Sequence, residues 1–115
     1  MDIKEIGEDL KQLVVENLSL EDAQALLDIA SERRRQVQDL GHKPEHDDLC
    51  VADELALAAA VYAVPPTSRD NDLMGLWPWD LRAFKPGEWN EDLKRAGALL
   101  VAEYGRQVRL RTRVR

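Results

Sequence analysis

Residues 55–64 read Leu-Ala-Leu-Ala-Ala-Ala-Val-Tyr-Ala-Val, and this stretch decides the fold. Ten consecutive apolar residues, half of them alanine, form a helix that is apolar all round. Such a helix is buried, and its small side chains let neighbouring elements approach closely. Pro65 and Pro66 end it, because proline lacks the donor that a continuing helix needs. Upstream, Asp47 or Asp48 is placed to cap it, so the helix is expected over residues 48–63.

A buried helix needs other helices around it, and the rest of the chain supplies them. Residues 2–17 carry Ile3, Ile6, Leu10, Leu13 and Val14 at helical spacing, with charges on the other face. Asn17 and Ser19 break this helix. Ser19 is a natural N-cap for the next one, with Glu21 and Asp22 in its first turn. Leu20, Ala23, Leu26, Leu27, Ala30 and Val37 form the second apolar stripe, which runs to about residue 40, where Gly41 stops it. The two helices read as a hairpin. A last helix is expected from Asn90 to about Gly105, burying Leu93, Ala96, Gly97, Leu100, Val101 and Tyr104. Residues 65–89 form a long loop rich in tryptophan and proline. The fold class expected is all-α: a four-helix bundle-like domain over residues 1–105 with an N-terminal helical hairpin, one long Trp/Pro-rich loop and a basic tail at 106–115.

Composition limits the function. The chain has 115 residues, 44% of them apolar, which suits one domain. No apolar run reaches the ~18–20 residues of a membrane span. The first residues do not resemble a secretory signal, and a single Cys50 rules out an intrachain disulfide, so a cytoplasmic location is expected. Residues 1–105 carry a net charge of −11, and residues 106–115 carry five arginines and no acid. The acidic body repels phosphate backbones, so nucleic acid is an expected partner only through the tail. The tail itself is expected to be solvated or to lie on the acidic body.

Three groups of residues carry chemistry. Glu45, His46, Asp47 and Asp48, with Glu32 across the hairpin and Glu54 beyond, form a candidate metal set, because clustered carboxylates and an imidazole suit Mg²⁺, Mn²⁺ or zinc. The same aspartates have a structural alternative as helix caps. Arg33, Arg34 and Arg35 fan around a helix and are candidate phosphate or carboxylate ligands, or partners of Glu32 and Asp39. Trp77, Trp79 and Trp89 are all expected in loops, where they either stack on a ligand or partner or close a thin core. His42 is a further candidate binding residue, since an imidazole titrates near neutral pH. Cys50, at the start of a buried helix, reads as a small apolar filler. No nucleophile motif and no glycine-rich phosphate loop is present.

Several short motifs occur in a fixed order: Glu32-Arg33-Arg34-Arg35-Gln36, Glu45-His46-Asp47-Asp48, Glu54-Leu55-Ala56, Ala58-Ala59-Ala60 with Tyr62, Trp77-Pro78-Trp79-Asp80, Lys85-Pro86, and the run from Leu93 to Glu103. This series resembles a family of small proteins encoded by phages and prophages, over residues 32–103. The family commonly has Gly-Trp where this chain has Gly41-His42. Residues 1–31 look like an addition to that core, and the arginine tail also departs from it. A second analogy is to MazG-like all-α nucleotide pyrophosphohydrolases, which hold Mg²⁺ with acidic residues on two helices. Their Glu-Glu-x-x-Glu and Glu-x-x-Asp patterns are not present in order; Asp28 with Glu32, and Asp48 to Glu54, are loose stand-ins.

The resemblance implies a phage or prophage origin and no particular activity; with the tryptophan loop and the helical hairpin as surfaces, the first expectation is a small binding protein. It would act on a host or phage protein or a nucleotide-like ligand, as an inhibitor of a host system, without a cofactor. The alternative is a Mg²⁺- or Mn²⁺-dependent nucleotide pyrophosphohydrolase. Residues 1–31 are expected to join a second copy into a homodimer, because a two-helix hairpin is too thin to bury its apolar faces alone.

Overall fold

The computed structural model describes residues 1–41, 44–49 and 53–114, without the side chains of His46, Arg113 and Val114. The elements are α1 (Ile3–Asn17), α2 (Leu20–Gln38), α3 (Pro44–Asp47), α4 (Glu54–Ala63), α5 (Asn71–Met74) and α6 (Trp89–Val114), with 3₁₀ turns at Pro66–Ser68 and Leu81–Ala83. The fold is all-α: no strand occurs among the described residues. No helix is long and apolar enough to cross a membrane among the described residues.

The caps explain the first two helices. The Asp2 side chain accepts from the backbone N–H of Glu5, and Ser19 Oγ accepts from that of Asp22, as the sequence led one to expect. Gly41 lies at φ +74, a left-handed position that costs a glycine little, just beyond α2. The start of α4 differs from expectation. The helix begins at Glu54, after Asp53 in the left-handed region without a side-chain cap. Asp47 and Asp48 are drawn to the arginines Arg33 and Arg109.

Long α6 is the element around which the others gather, and α4, α2 and α3 each pack against it. Leu55, Ala58, Ala59, Val61 and Tyr62 of α4 meet Ala96, Leu99 and Ala102 of α6, with Trp77 closing the cluster. Burying Leu55 and Leu99 contributes about 1.5–3 kcal/mol each. Ala98 is also fully buried. The buried face of α6 is therefore rotated from the one expected: Leu93, Leu100, Val101 and Tyr104 are exposed. Alanines facing alanine-rich α4 permit a close approach that leucines would prevent, and buried Asp92 must face inward to meet its partners. Where α2 crosses α6, a Cβ on Gly97 would lie 2.7 Å from Ile29 Cδ1, so any side chain there would force Ile29 to move.

The expected hairpin is not packed. α1 has no buried residue, and Ile3, Ile6, Leu10 and Leu13 are all exposed. The packed bundle is thus α2, α4 and α6 with short α3, rather than four long helices. The basic tail is not a separate extension. Gly105 does not stop α6, which continues to Val114. Arg106 pairs with Glu103, and Arg109 reaches Asp48 and the carbonyl of Pro44.

The segment between α4 and α6 is ordered by side chains. Arg69 donates to the carbonyls of Val61 and Tyr62, and the Trp89 indole to that of Ala63, so the free C-terminal carbonyls of α4 find donors. Asp92 on α6, fully buried, holds Arg69 at 2.9 Å and Arg95 at 2.8 Å and accepts from the Gly87 N–H. Arg69 also stacks over Phe84.

Candidate functional site

A cleft of about 510 Å³ opens between α2, α4, α6 and the aromatic segment. Its volume is in the range of small-molecule sites. Each wall follows from a local feature of the sequence. Glu32, Arg35 and Gln36 lie three and four residues apart on α2, and so share one face. Tyr62 projects from the last turn of α4, while the Trp-Pro-Trp-Asp segment folds back to stack on it. Leu55, Leu99 and Ala102 form the apolar floor.

The aromatic rings pack directly on one another. Tyr62 and Trp77 meet edge-to-face at 5.5 Å, as do Trp77 and Trp79, and Phe84 packs against both Tyr62 and Trp77 at 5.0 Å. The Trp77 indole N–H donates to the carbonyl of Asp80, and the Tyr62 hydroxyl accepts from the Lys85 backbone N–H. Burial pushes the Tyr62 hydroxyl above the usual phenol range. Trp77 is 8% exposed and belongs to the core, whereas Trp79 is half-buried and donates to Glu54 at 2.7 Å.

The polar wall combines both charges. Arg33, Arg35, Lys85 and Arg95 line the cleft together with Glu32 and Asp47. Glu32 accepts a two-pronged bond from Arg35 at 2.8 and 2.8 Å and a third from Gln36 at 3.3 Å. Burial works to raise the Glu32 pKa. The bonds from Arg35 and Gln36, with the charges of Arg35 and Arg95, outweigh it and hold the carboxyl below its usual value. Asp47, almost fully buried, pairs with Arg33.

The cleft gathers six of the residues singled out in the sequence: Trp77, Trp79, Arg33, Arg35, Glu32 and Asp47. It does not gather the others. Trp89 sits at the start of α6 and caps α4, and Arg34 is exposed. Asp48 faces Arg109, Glu45 is exposed, and Glu54 receives the Trp79 indole. His42 and Cys50, and the side chain of His46, lie outside the described residues. Among the described residues, no three histidine, cysteine or acidic side chains are grouped as a metal ion would require. Glu32, Glu45, Asp47, Asp48 and Glu54 are instead dispersed, and the buried ones are directed to arginine or indole donors.

Tyr62, Gln36, Lys85, Arg95 and the Arg69–Asp92 pair were not among the sequence candidates. The spacing of Glu32, Arg35 and Gln36 carried a signal, since i, i+3 and i+4 share a helix face. Lys85 and Arg95 carried none, because only the tertiary fold brings them to α2. No family model, curated protein or solved structure is found to match this chain.

Proposed function

We propose that this protein is a binding module whose ligand is a nucleotide-like small molecule held in the cleft between α2, α4 and α6. The observation that carries this reading is that aromatic rings and four cationic side chains line one cleft. A flat ring with attached phosphates needs both: π surface for the ring, and guanidinium or ammonium donors for the anion. A fully apolar ligand would leave the arginines desolvated without benefit, and a bare anion would not use Tyr62, Trp77 and Trp79. The resemblance to small phage and prophage proteins fits a binder that acts on a host system by capturing such a ligand.

Calorimetry with nucleoside di- and triphosphates tests it, with Lys85→Ala as the variant, since Lys85 is exposed and its side chain lines the cleft. Binding that weakens about tenfold in the variant supports the reading, in line with the 1.5–3 kcal/mol of a charge-assisted bond. No binding of any nucleotide at millimolar concentration refutes it.

A second reading has one observation in its favour: Glu32 and Asp47, both in the candidate metal set, line the same cleft. A metal-dependent nucleotide pyrophosphohydrolase would need them released from Arg35 and Arg33. Adding Mg²⁺ or Mn²⁺ with each nucleoside triphosphate and measuring pyrophosphate separates the two readings.

A further inference from the structure

The cations that line the cleft are not equally available to a ligand. Arg35 gives both prongs of its guanidinium to Glu32 at 2.8 Å, and Arg33 pairs with Asp47, whose side chain is only 2% exposed. Arg95 bonds buried Asp92 at 2.8 Å, a carboxylate that it shares with Arg69. Lys85 differs from all three. It is exposed, and its ammonium has no carboxylate partner among the described residues.

The counter-charges stay in the site whatever binds there. Glu54, which accepts from the Trp79 indole, adds one more carboxylate beside the cleft. The four lining cations and Arg69 therefore face four carboxylates: Glu32, Asp47, Glu54 and Asp92. One positive charge is left over, in a chain whose net charge is −6. A guanidinium fork that already holds a carboxylate cannot also clamp a phosphate. The sequence has no glycine-rich loop whose backbone N–H groups could cradle a row of phosphates instead.

The backbone of Lys85 fixes where the surplus charge lies. Its N–H donates to the Tyr62 hydroxyl at 3.0 Å, and Tyr62 packs on Trp77 and Phe84. The ammonium is thus confined to the reach of one four-carbon stem from the aromatic rings. An anion held there belongs to the phosphate nearest the ring system of the ligand.

We propose that the cleft selects a nucleotide with a single phosphate, held by Lys85, and that the fixed carboxylates Glu32 and Asp47 penalise every further phosphate. This rests on the nucleotide-like reading of the cleft and names the charge class of the ligand within it. The first phosphate meets the surplus cation. Each later one adds negative charge that no unmatched cation in the lining offsets. Coulomb repulsion acts across the whole site, so the penalty does not depend on a contact between particular atoms.

The test uses the full-length protein with EDTA, so that no metal screens the phosphates and no turnover occurs. Dissociation constants are measured for the 5′-monophosphates and 5′-triphosphates of adenosine, guanosine, cytidine and uridine. For each base that binds, the monophosphate should be tighter by about fivefold or more, the scale of one unit-charge repulsion at ~4 Å in water. In Glu32→Gln, which keeps the side-chain length and removes one fixed charge, the gap should narrow to within about twofold. The wild-type series needs no variant, so it decides the matter even if Glu32→Gln does not fold. Equal affinities, or a tighter triphosphate, overturn the single-phosphate assignment and leave the nucleotide reading standing. Failure of all eight nucleotides to bind overturns the nucleotide reading and this assignment with it. A gap that persists unchanged in a folded Glu32→Gln overturns the role given to the carboxylates.

Discussion

Removing the carboxylate of Asp92 should be the most damaging single change outside the apolar core. Asp92 is fully buried and accepts from Arg69, Arg95 and the Gly87 N–H at 2.9, 2.8 and 2.9 Å. The Arg69 side chain is itself only 7% exposed. In Asp92→Ala this guanidinium keeps its bonds to the Val61 and Tyr62 carbonyls but loses its counter-charge. An uncompensated buried charge of this kind costs about 3–5 kcal/mol. For a domain of this length that corresponds to a fall in Tm of roughly 12–20 °C. It is also a large share of the ~5–15 kcal/mol that holds a typical domain together. Thermal and urea melts followed by circular dichroism measure it. The exposed Asp80–Arg82 pair supplies the control: Asp80→Asn should leave Tm unchanged, because solvent screens that pair. A folded Asp92→Ala within ~3 °C of wild type would refute the argument that this ion pair joins the aromatic segment to α4 and α6. The double variant Asp92→Leu with Arg69→Met should recover part of the loss, since replacing both charges strands neither.

Three further outcomes follow from the same structure. Trp77→Ala should cost about 3–5 kcal/mol in denaturant melts, as for other large core deletions; Trp79→Ala should cost less and should weaken nucleotide binding instead, and equal losses in both would make the aromatic segment purely structural. The folded-state pKa values of Glu32 and Glu103 are both held down, for Glu32 because Arg35, Gln36 and Arg95 outweigh its burial and for Glu103 chiefly by Arg106. Their stabilisation is therefore complete above the ordinary glutamate value of 4.5 and is lost as pH falls below it through the lowered folded values. Tm measured from pH 7 to 3 should fall more steeply in wild type than in Glu32→Gln with Glu103→Gln, and identical slopes would refute this. Finally, Ile3, Ile6, Leu10 and Leu13 are exposed on α1 at the alternating three- and four-residue spacing with which like helices pair, so a homodimer through residues 1–31 is expected. Light scattering should then give about twice the 13.1 kDa chain mass, and a monomer at high concentration would rule it out.

What the sequence determined by itself is the helical architecture and much of its punctuation. Local chemistry suffices for that. Ser19 caps whatever helix follows it, Gly41 takes the left-handed turn, the double proline ends α4, and the apolar run at 55–64 puts Leu55, Ala58, Ala59, Val61 and Tyr62 in the core while Ala60 and Ala63 stay exposed. The grouping of Glu32 with Gln36 was equally readable, because helical spacing alone puts them on one face. The tertiary structure decided the rest, through interactions that sequence distance conceals. Asp92 and Arg69 are 23 residues apart, and their pairing turned α6 so that alanines rather than Leu100, Val101 and Tyr104 face α4. Arg109 lies 61 residues from Asp48, and that bond ties the arginine tail to the acidic loop within a continuous α6. Asp47 and Asp48 satisfied both the cap and the metal patterns, yet buried carboxylates go to whichever strong donor the fold brings nearest, and here those donors are Arg33 and Arg109. The cleft belongs to this second class as well. Its floor, its aromatic wall and its cations come from four separate stretches of chain, and they meet only because α2 and α4 pack on the same long helix.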